Sequence, residues 1–154
     1  LAEIKVFHGT GAPVGAKLKP PIFVALDPGT AGWYAVERAP EGKGKIWVGD
    51  FEPKKTLDLV RHGREEFLEI ATKAGIKYTE YPYFQCDEIE QHSSYDGSNY
   101  LDMVYVPKFA VQFKKEGYDS IRAYDVLGNE EPMVYIFFDP SLFKVTDVQE
   151  PGDE

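Results

Sequence analysis

Short apolar runs, rather than long amphipathic repeats, dominate the hydrophobic pattern of this chain of 154 residues. Residues 22–26 are apolar without interruption, which is typical of a buried strand. Residues 3–8 and 44–51 mix apolar and polar positions and predict two further strands. Near the C-terminus, residues 118–125 and 133–138 predict a β-hairpin with a polar, Gly-containing loop. Shorter extended segments are expected at residues 55–59 and 143–148.

Three segments carry helical signals. Asp27-Pro28 predicts the start of the first helix, because Asp caps a helix N-terminus and Pro fits its first position. Residues 64–74 and 106–116 are amphipathic, and each is followed by a Gly that suits a helix C-terminus. The face of the first helix that we expect to pack inward carries Ala31, Tyr34 and Ala35.

The order of these elements predicts an α+β fold with a mixed, mainly antiparallel sheet and flanking helices. Residues 76–100 are polar and aromatic without periodicity, which indicates a long loop. We expect one domain over residues 1–148 and an acidic tail over 149–154. The first residue is Leu rather than Met, so we expect an excised domain or a processed product.

Composition and charge limit the classes of function. The net charge of −9 disfavours non-specific binding to nucleic acid, which needs Lys and Arg against phosphates. Ten Tyr, ten Phe and two Trp fit both a β-rich core and a pocket for flat ligands. Cys86 is the only cysteine, and its acidic neighbours disfavour a nucleophilic thiolate. The three histidines show no metal spacing, and no apolar run is long enough to cross a membrane.

Three separated motifs suggest chemistry when they are taken together. Phe-His-Gly-Thr occupies residues 7–10 at the end of the first strand, and the apolar strand at 22–25 is followed by Tyr34 on a helix. Gly-Tyr-Asp-Ser-Ile at 117–121 then precedes Tyr-Ile-Phe-Phe-Asp-Pro at 135–140. In this order the set resembles ADP-ribosyltransferases of the diphtheria-toxin and poly(ADP-ribose)-polymerase branch. It is most similar to phage-encoded domains of polyvalent proteins, and it implies a split sheet with NAD between its halves.

The resemblance also implies roles for individual residues. His8 would bond the adenosine ribose, Gly9 would offer its backbone to the nicotinamide amide, and Thr10 would contact a ribose or phosphate. Tyr34 would lie flat on the nicotinamide. Phe23 stands where many relatives have Tyr, so stacking is kept and a hydroxyl is lost.

The catalytic acid of the family has no direct counterpart here. The matching position is Val134, which cannot bond a ribose hydroxyl. Asp125, at the end of the preceding strand of the hairpin, could bring a carboxylate near this position, since cross-strand neighbours lie about 5 Å apart. Glu131 in the connecting loop is a second candidate, and a domain without any acid is the third alternative.

The leading hypothesis from the sequence is therefore a mono-ADP-ribosyltransferase, a glycosyltransferase that cleaves NAD and modifies a macromolecule. A bacterial host protein is the expected acceptor, with nucleic acid less favoured and no membrane partner. The resemblance implies a phage or toxin-like effector in the cytoplasm. Two alternatives stay open: a degenerate NAD-binding or virion module, and a small phage-toxin-type nuclease using Arg61, His62 and Arg64.

Overall fold

The computed structural model describes residues 3–13, 15–39, 42–124 and 133–151. All strands of this part of the chain lie in one sheet. They are β1 (Ile4–Thr10), β2 (Ile22–Ala25), β3 (Lys45–Phe51), β4 (Thr56–Asp58), β5 (Ser120–Tyr124), β6 (Met133–Phe137) and β7 (Phe143–Gln149). The α-helices are α1 (Pro28–Arg38), α2 (Arg64–Lys73), α3 (Asp87–His92) and α4 (Pro107–Lys115), and 3-10 helices span Tyr100–Tyr105 and Pro140–Leu142.

The strand order in the sheet is β4-β5-β6-β2-β1-β3-β7. Every described pairing is antiparallel except that of β4 with β5, which is parallel. The α+β class and the mainly antiparallel mixed sheet predicted from the sequence are thus confirmed. None of the described helices has the length and apolar character that a membrane crossing requires.

The hydrogen-bonded ladder between β1 and β2 is the shortest in the sheet among the described pairings. β1 pairs with β3 along its whole length, whereas it pairs with β2 only at Phe7 and Ala25. Ile22, Phe23 and Val24 of β2 pair with β6 but not with β1. We refer to the two parts of this one seven-stranded sheet, β7-β3-β1 and β2-β6-β5-β4, as half-sheets, and to the β1–β2 junction between them as the seam.

Both faces of the sheet are covered by apolar side chains. Alternate residues of β6 point to opposite faces, so Val134 and Ile136 join the larger core, and Tyr135 and Phe137 join the smaller one. The larger core holds the buried sides of α2 and α4 and of the first 3-10 helix. Helix α1 instead packs on the first half-sheet through Ala31, which lies against β3.

Helix α1 begins as the sequence predicts. Asp27 adopts an extended conformation, and its carboxylate accepts hydrogen bonds from the backbone N and the hydroxyl of Thr30 at 2.8 Å. Ala31 and Ala35 are each 1% exposed, and Tyr34 is half-buried on the same face. The cap and the small residues thus fix both the start of α1 and the face that it presents to the sheet.

One sequence prediction needs correction. Residues 76–100 are not one irregular loop, because α3 forms within them around the fully buried Ile89. Helix α3 has six residues, and Ile89 is its one buried apolar residue, so its sequence shows no helical repeat of apolar positions. At the C-terminal end, β7 continues to Gln149, and Glu150 pairs with Lys45 Nζ at 2.6 Å.

The segment 117–121 has a structural role. Gly117 ends α4 with a φ of 90°, a conformation that favours Gly. Asp119 then accepts hydrogen bonds from the backbone N of Lys54 at 2.8 Å and of Lys55 at 3.2 Å. These bonds hold the chain before β4 against the start of β5.

Candidate functional site

A pocket of about 510 Å³ opens at the seam between the two half-sheets. Its walls come from the end of β1, from β2, from α1, from Val134 of β6 and from the segment that leads into the first 3-10 helix. The size falls within the range of about 300–1,000 Å³ that is usual for small-ligand sites. Of the positions that the sequence singled out, His8, Gly9, Phe23 and Tyr34 from the N-terminal part and Val134 from the C-terminal part line this pocket.

His8 bridges the seam. Its Nδ1 lies 2.7 Å from the backbone carbonyl oxygen of Phe23. Because a carbonyl only accepts, Nδ1 carries the proton, and in the neutral ring Nε2 is left as an acceptor. Burial lowers the pKa of His8 below its ordinary value of 6.5, and the bond to Phe23 opposes this only in part. The ring is therefore neutral near pH 7, and its edge contacts with Trp47 and Phe143 fix its orientation.

Gly9 lines the pocket and also sets the distance between β1 and α1. A Cβ at this position would lie 1.9 Å from the carbonyl oxygen of Ala31 and 2.8 Å from the backbone N of Ala35. Only a residue without a side chain fits at this position, because the backbone of α1 occupies the space that a Cβ would need. The sequence interpretation, which assigned it to close approach by a ligand, did not foresee this contact.

Two aromatic side chains of α1 form the next wall. Tyr34 is half-buried, and Trp33 packs edge-on against it with ring centroids 5.0 Å apart. Trp33 is 56% exposed although it lines the pocket, so it stands at the rim. Exposed Trp beside a cavity offers a flat apolar surface to a ligand or a partner.

The opposite wall is a second aromatic group. Phe23 stacks on Tyr105 with centroids 5.9 Å apart and planes 20° apart, and Tyr105 packs against Tyr95 at 5.5 Å. Phe23 belongs to β2, whereas Tyr105 is the last residue of the first 3-10 helix and Tyr95 precedes that helix. The contact therefore joins that helix to the seam of the sheet.

The first 3-10 helix carries an acid into the pocket. Its N-cap is Asn99, whose side-chain oxygen accepts from the backbone N of Leu101 at 3.0 Å. Residues three apart lie above one another in a 3-10 helix, so Asp102 and Tyr105 share a side, and both line the pocket. Leu101 is buried at 3%, and Met103 is fully buried, which ties the helix to the core.

A second acid, Asp96, stands at the exposed part of the lining. Its Oδ1 accepts from the hydroxyl of Ser98 at 2.6 Å and from the backbone N of Ser98 at 3.0 Å. These bonds lower the pKa of Asp96. Gly97, with a φ of 81°, lies so close to the Cys86 carbonyl that a side chain would collide with it. The loop is therefore held to α3.

The structure brings together most of the predicted binding residues but not all of them. His8, Gly9, Phe23 and Tyr34 line the pocket, whereas Thr10 is not among the described lining residues and accepts from Ala12 N at 3.0 Å. Val134 also lines the pocket, 1% exposed, so the position that the resemblance matches to a catalytic acid presents an alkyl group. The two proposed substitutes, Asp125 and Glu131, lie outside the described residues.

The pocket has an acidic and aromatic character. Its described lining includes Asp96 and Asp102 but neither Lys nor Arg. Three or more His, Cys, Asp or Glu side chains in a metal-binding arrangement do not occur within the described ranges. The lining therefore suits a flat ligand with a neutral or positively charged end better than a phosphate.

Other reactive side chains lie apart from the pocket. Cys86 is 3% exposed, burial raises the pKa of its thiol, and its Sγ donates to Lys77 O at 3.3 Å. His62 is exposed, and the neighbouring Arg64 pairs with Glu80 at 2.9 Å. This basic cluster, on which the nuclease alternative rested, contributes no described residue to the lining.

The sequence did not indicate that side chains from residues 95–105 line the pocket. The only signal there is a spacing of three between Asn99, Asp102 and Tyr105. That spacing matches one turn of a 3-10 helix, but such helices are short and their sequence preferences are weak.

Comparisons of the chain with protein-family models, with curated proteins and with solved structures gave no match.

Proposed function

We propose that this protein is a mono-ADP-ribosyltransferase that binds NAD as a substrate in the seam pocket and transfers ADP-ribose to a macromolecule, with a bacterial host protein as the favoured acceptor. The observation that carries the proposal is the meeting of His8, Gly9, Phe23 and Tyr34 around one cavity. These residues belong to three separate elements, β1, β2 and α1, and motif resemblance alone predicts that they share a site.

The reaction breaks the bond between the nicotinamide nitrogen and C1′ of its ribose. The bonding electron pair leaves with the nitrogen, which becomes neutral, and positive charge develops on the ribose. A nucleophile of the acceptor then bonds C1′ and releases its proton. The enzyme needs to orient the two groups and to stabilise the developing charge.

The proposed roles follow from the chemistry of each side chain. The neutral imidazole of His8 can accept a hydrogen bond from a ribose hydroxyl at Nε2, because Phe23 O already holds Nδ1. Tyr34 offers a ring face for the nicotinamide, and Trp33 at the rim can extend that surface. Gly9 lets α1, which carries Tyr34, approach β1 closely.

The lining suggests which end of NAD enters. The oxidised nicotinamide ring is positively charged, and aromatic faces favour such a cation. The described lining has no basic side chain for the pyrophosphate, so we expect that group to lie outside the cavity.

A catalytically inactive NAD-binding module is the second candidate. It is favoured by one observation, the alkyl side chain of Val134 at the position of the family acid. Such a protein would bind NAD through the same aromatic walls without releasing nicotinamide.

The test combines NAD binding with label transfer. The wild-type protein and the variants His8→Ala and Tyr34→Ala are titrated with NAD, then incubated with labelled NAD and a bacterial lysate. We expect the wild type to bind NAD and to label a protein. Loss of ring stacking in Tyr34→Ala should weaken binding about fivefold to 150-fold, since stacking contributes about 1–3 kcal/mol.

Matched controls separate these effects from damage to the fold. His62→Ala and Tyr83→Ala remove exposed side chains of the same types outside the pocket, so binding and transfer should not change. Binding without nicotinamide release would support the inactive module. A wild-type protein that does not bind NAD would exclude both candidates.

A further inference from the structure

The segment between α3 and α4 supplies a carboxylate to the same pocket that Val134, the position of the expected acid, also lines. We infer that Asp102 is the catalytic carboxylate, which stabilises the positive charge on the ribose as the nicotinamide leaves. The inference rests on the proposed function, since it assigns a residue for the same reaction at the same pocket.

The first argument is the placement of Asp102. It lies in the 3-10 helix Tyr100–Tyr105, one turn before Tyr105, and residues so spaced lie above one another. Tyr105 stacks on Phe23 of β2, which fixes the side of the helix that faces the seam. Asp102 is therefore directed to the same pocket that Phe23 and Val134 line from the sheet.

The 3-10 helix that contains Asp102 is fixed to the core and capped at both ends. Leu101, Met103 and Val104 are buried at 3%, 0% and 2% exposure. The helix is closed at its start by the Asn99 side chain and at its end by a hydrogen bond from Val106 N to Met103 O at 3.0 Å. A carboxylate on such a support needs little reorganisation when charge develops, which is the condition for electrostatic catalysis.

The third argument is the local environment. Among the described residues, the pocket has two carboxylates, and Asp102 is half-buried whereas Asp96 is exposed. Charge interactions are stronger where apolar groups exclude water, and Leu101, Tyr105 and Val134 line the same cavity. Asp102 is thus the better placed of the two to act on a charge in the pocket.

The assignment predicts an effect on rate rather than on binding. The positive charge of oxidised NAD lies on the ring before reaction and moves to the ribose as the bond breaks. A carboxylate aimed at the ribose stabilises the transition state more than bound NAD. We therefore expect Asp102→Asn, which keeps the shape of the side chain, to lower kcat about 100-fold to 1,000-fold while NAD affinity changes less than about threefold.

The experiment measures nicotinamide release and NAD binding for wild type, Asp102→Asn, Asp96→Asn and Asp87→Asn. Asp87 is exposed at the start of α3 and serves as the matched control, so Asp87→Asn should match the wild type. Thermal unfolding of each variant shows that the fold is kept, and Asp102→Glu provides a rescue variant that should recover part of the rate.

The outcomes are distinct. Loss of kcat in Asp102→Asn with intact binding supports the inference. A wild-type protein that releases nicotinamide, together with an equally active Asp102→Asn, overturns the inference and leaves the proposed function standing. Loss of rate in Asp96→Asn alone also overturns it. Absence of NAD binding by the wild type overturns both the inference and the proposed function.

Discussion

His8 and Phe23 are joined by a hydrogen bond of 2.7 Å from the imidazole Nδ1 to the backbone carbonyl oxygen. The two residues belong to β1 and β2, which otherwise share only the pair Phe7 and Ala25. The His8 side chain thus donates to the Phe23 carbonyl oxygen, which would accept a backbone hydrogen bond if the β1–β2 ladder continued. The bond therefore links β1 to β2 beside the pocket that both residues line.

The buried imidazole should make stability depend on pH. Burial depresses the pKa of His8 in the folded protein below 6.5, so in the interval between these values the unfolded chain binds more protons. The stability that the neutral His8 ring contributes to the free energy of unfolding is therefore fully present above pH 6.5. It is lost as the pH falls from 6.5 to the pKa of His8 in the folded protein, and it does not change further below that pKa. The free energy of unfolding of His8→Gln should fall less than that of the wild type from about pH 7 to about pH 5.

Urea unfolding at several pH values measures this difference. His62→Gln removes an exposed imidazole and controls for the change in overall charge. If His8→Gln and the wild type show parallel pH dependence, the His8 ring is not held neutral by burial.

Gly9→Ala should destabilise the protein and separate α1 from β1. The added Cβ would meet the Ala31 carbonyl oxygen at 1.9 Å, and a backbone atom cannot rotate away. We expect a loss of about 1–3 kcal/mol in the free energy of unfolding. NAD binding should weaken as well, because α1 carries Tyr34.

Gly29→Ala provides the comparison within the same helix. Its Cβ would meet only the Asp27 side chain, at 3.2 Å, so we expect a change of less than about 1 kcal/mol. Equal stabilities for the two variants in a denaturant titration would contradict the proposed role of Gly9.

Asp119→Ala should weaken the junction of β4 and β5 without affecting the pocket. Its carboxylate accepts hydrogen bonds from Lys54 N, from Lys55 N and, at 2.9 Å, from the hydroxyl of Ser120. Loss of these bonds should cost about 1–3 kcal/mol in unfolding experiments, with unchanged NAD affinity. Asp147→Ala, at an exposed position on β7, should cost less than about 0.5 kcal/mol.

Trp47→Phe should lower the free energy of unfolding only slightly, although Trp47 is buried. The indole Nε1 is buried and has no hydrogen-bond partner among the described residues, so the change removes an unsatisfied donor together with some apolar area. We expect the free energy of unfolding to fall by less than about 1.5 kcal/mol. Phe51→Leu, which truncates a fully buried ring without such a donor, should cost more. The opposite order would show that the indole N–H is satisfied in solution.

The elements with strong local signals could be predicted from the sequence. The Asp27-Pro28 cap, the apolar run that begins at Ile22 and the Gly75 stop depend on residues that are neighbours along the chain. Helix α3 was missed because Ile89 alone anchors it, and its stability comes from packing rather than from a repeated pattern.

For the site, motif order was enough to select His8, Gly9, Phe23 and Tyr34, which do line one pocket. It was not enough to separate Thr10 from them or to find Asp102. Whether a side chain enters a pocket depends on the rotation of its element about its own axis, and for a six-residue 3-10 helix this is set by contacts such as Tyr105 on Phe23.

By itself, then, the sequence determined the strand and helix segments near both ends, the α+β class and an aromatic, acidic composition, because caps, Pro, Gly and alternation act over a few residues. Only the tertiary structure decided that β1 and β2 meet at a single pair, that α1 rests on Gly9, and that Asp102 faces the seam. These features join residues far apart in the chain, and their relative positions follow from the packing of the whole sheet and its helices rather than from any local preference.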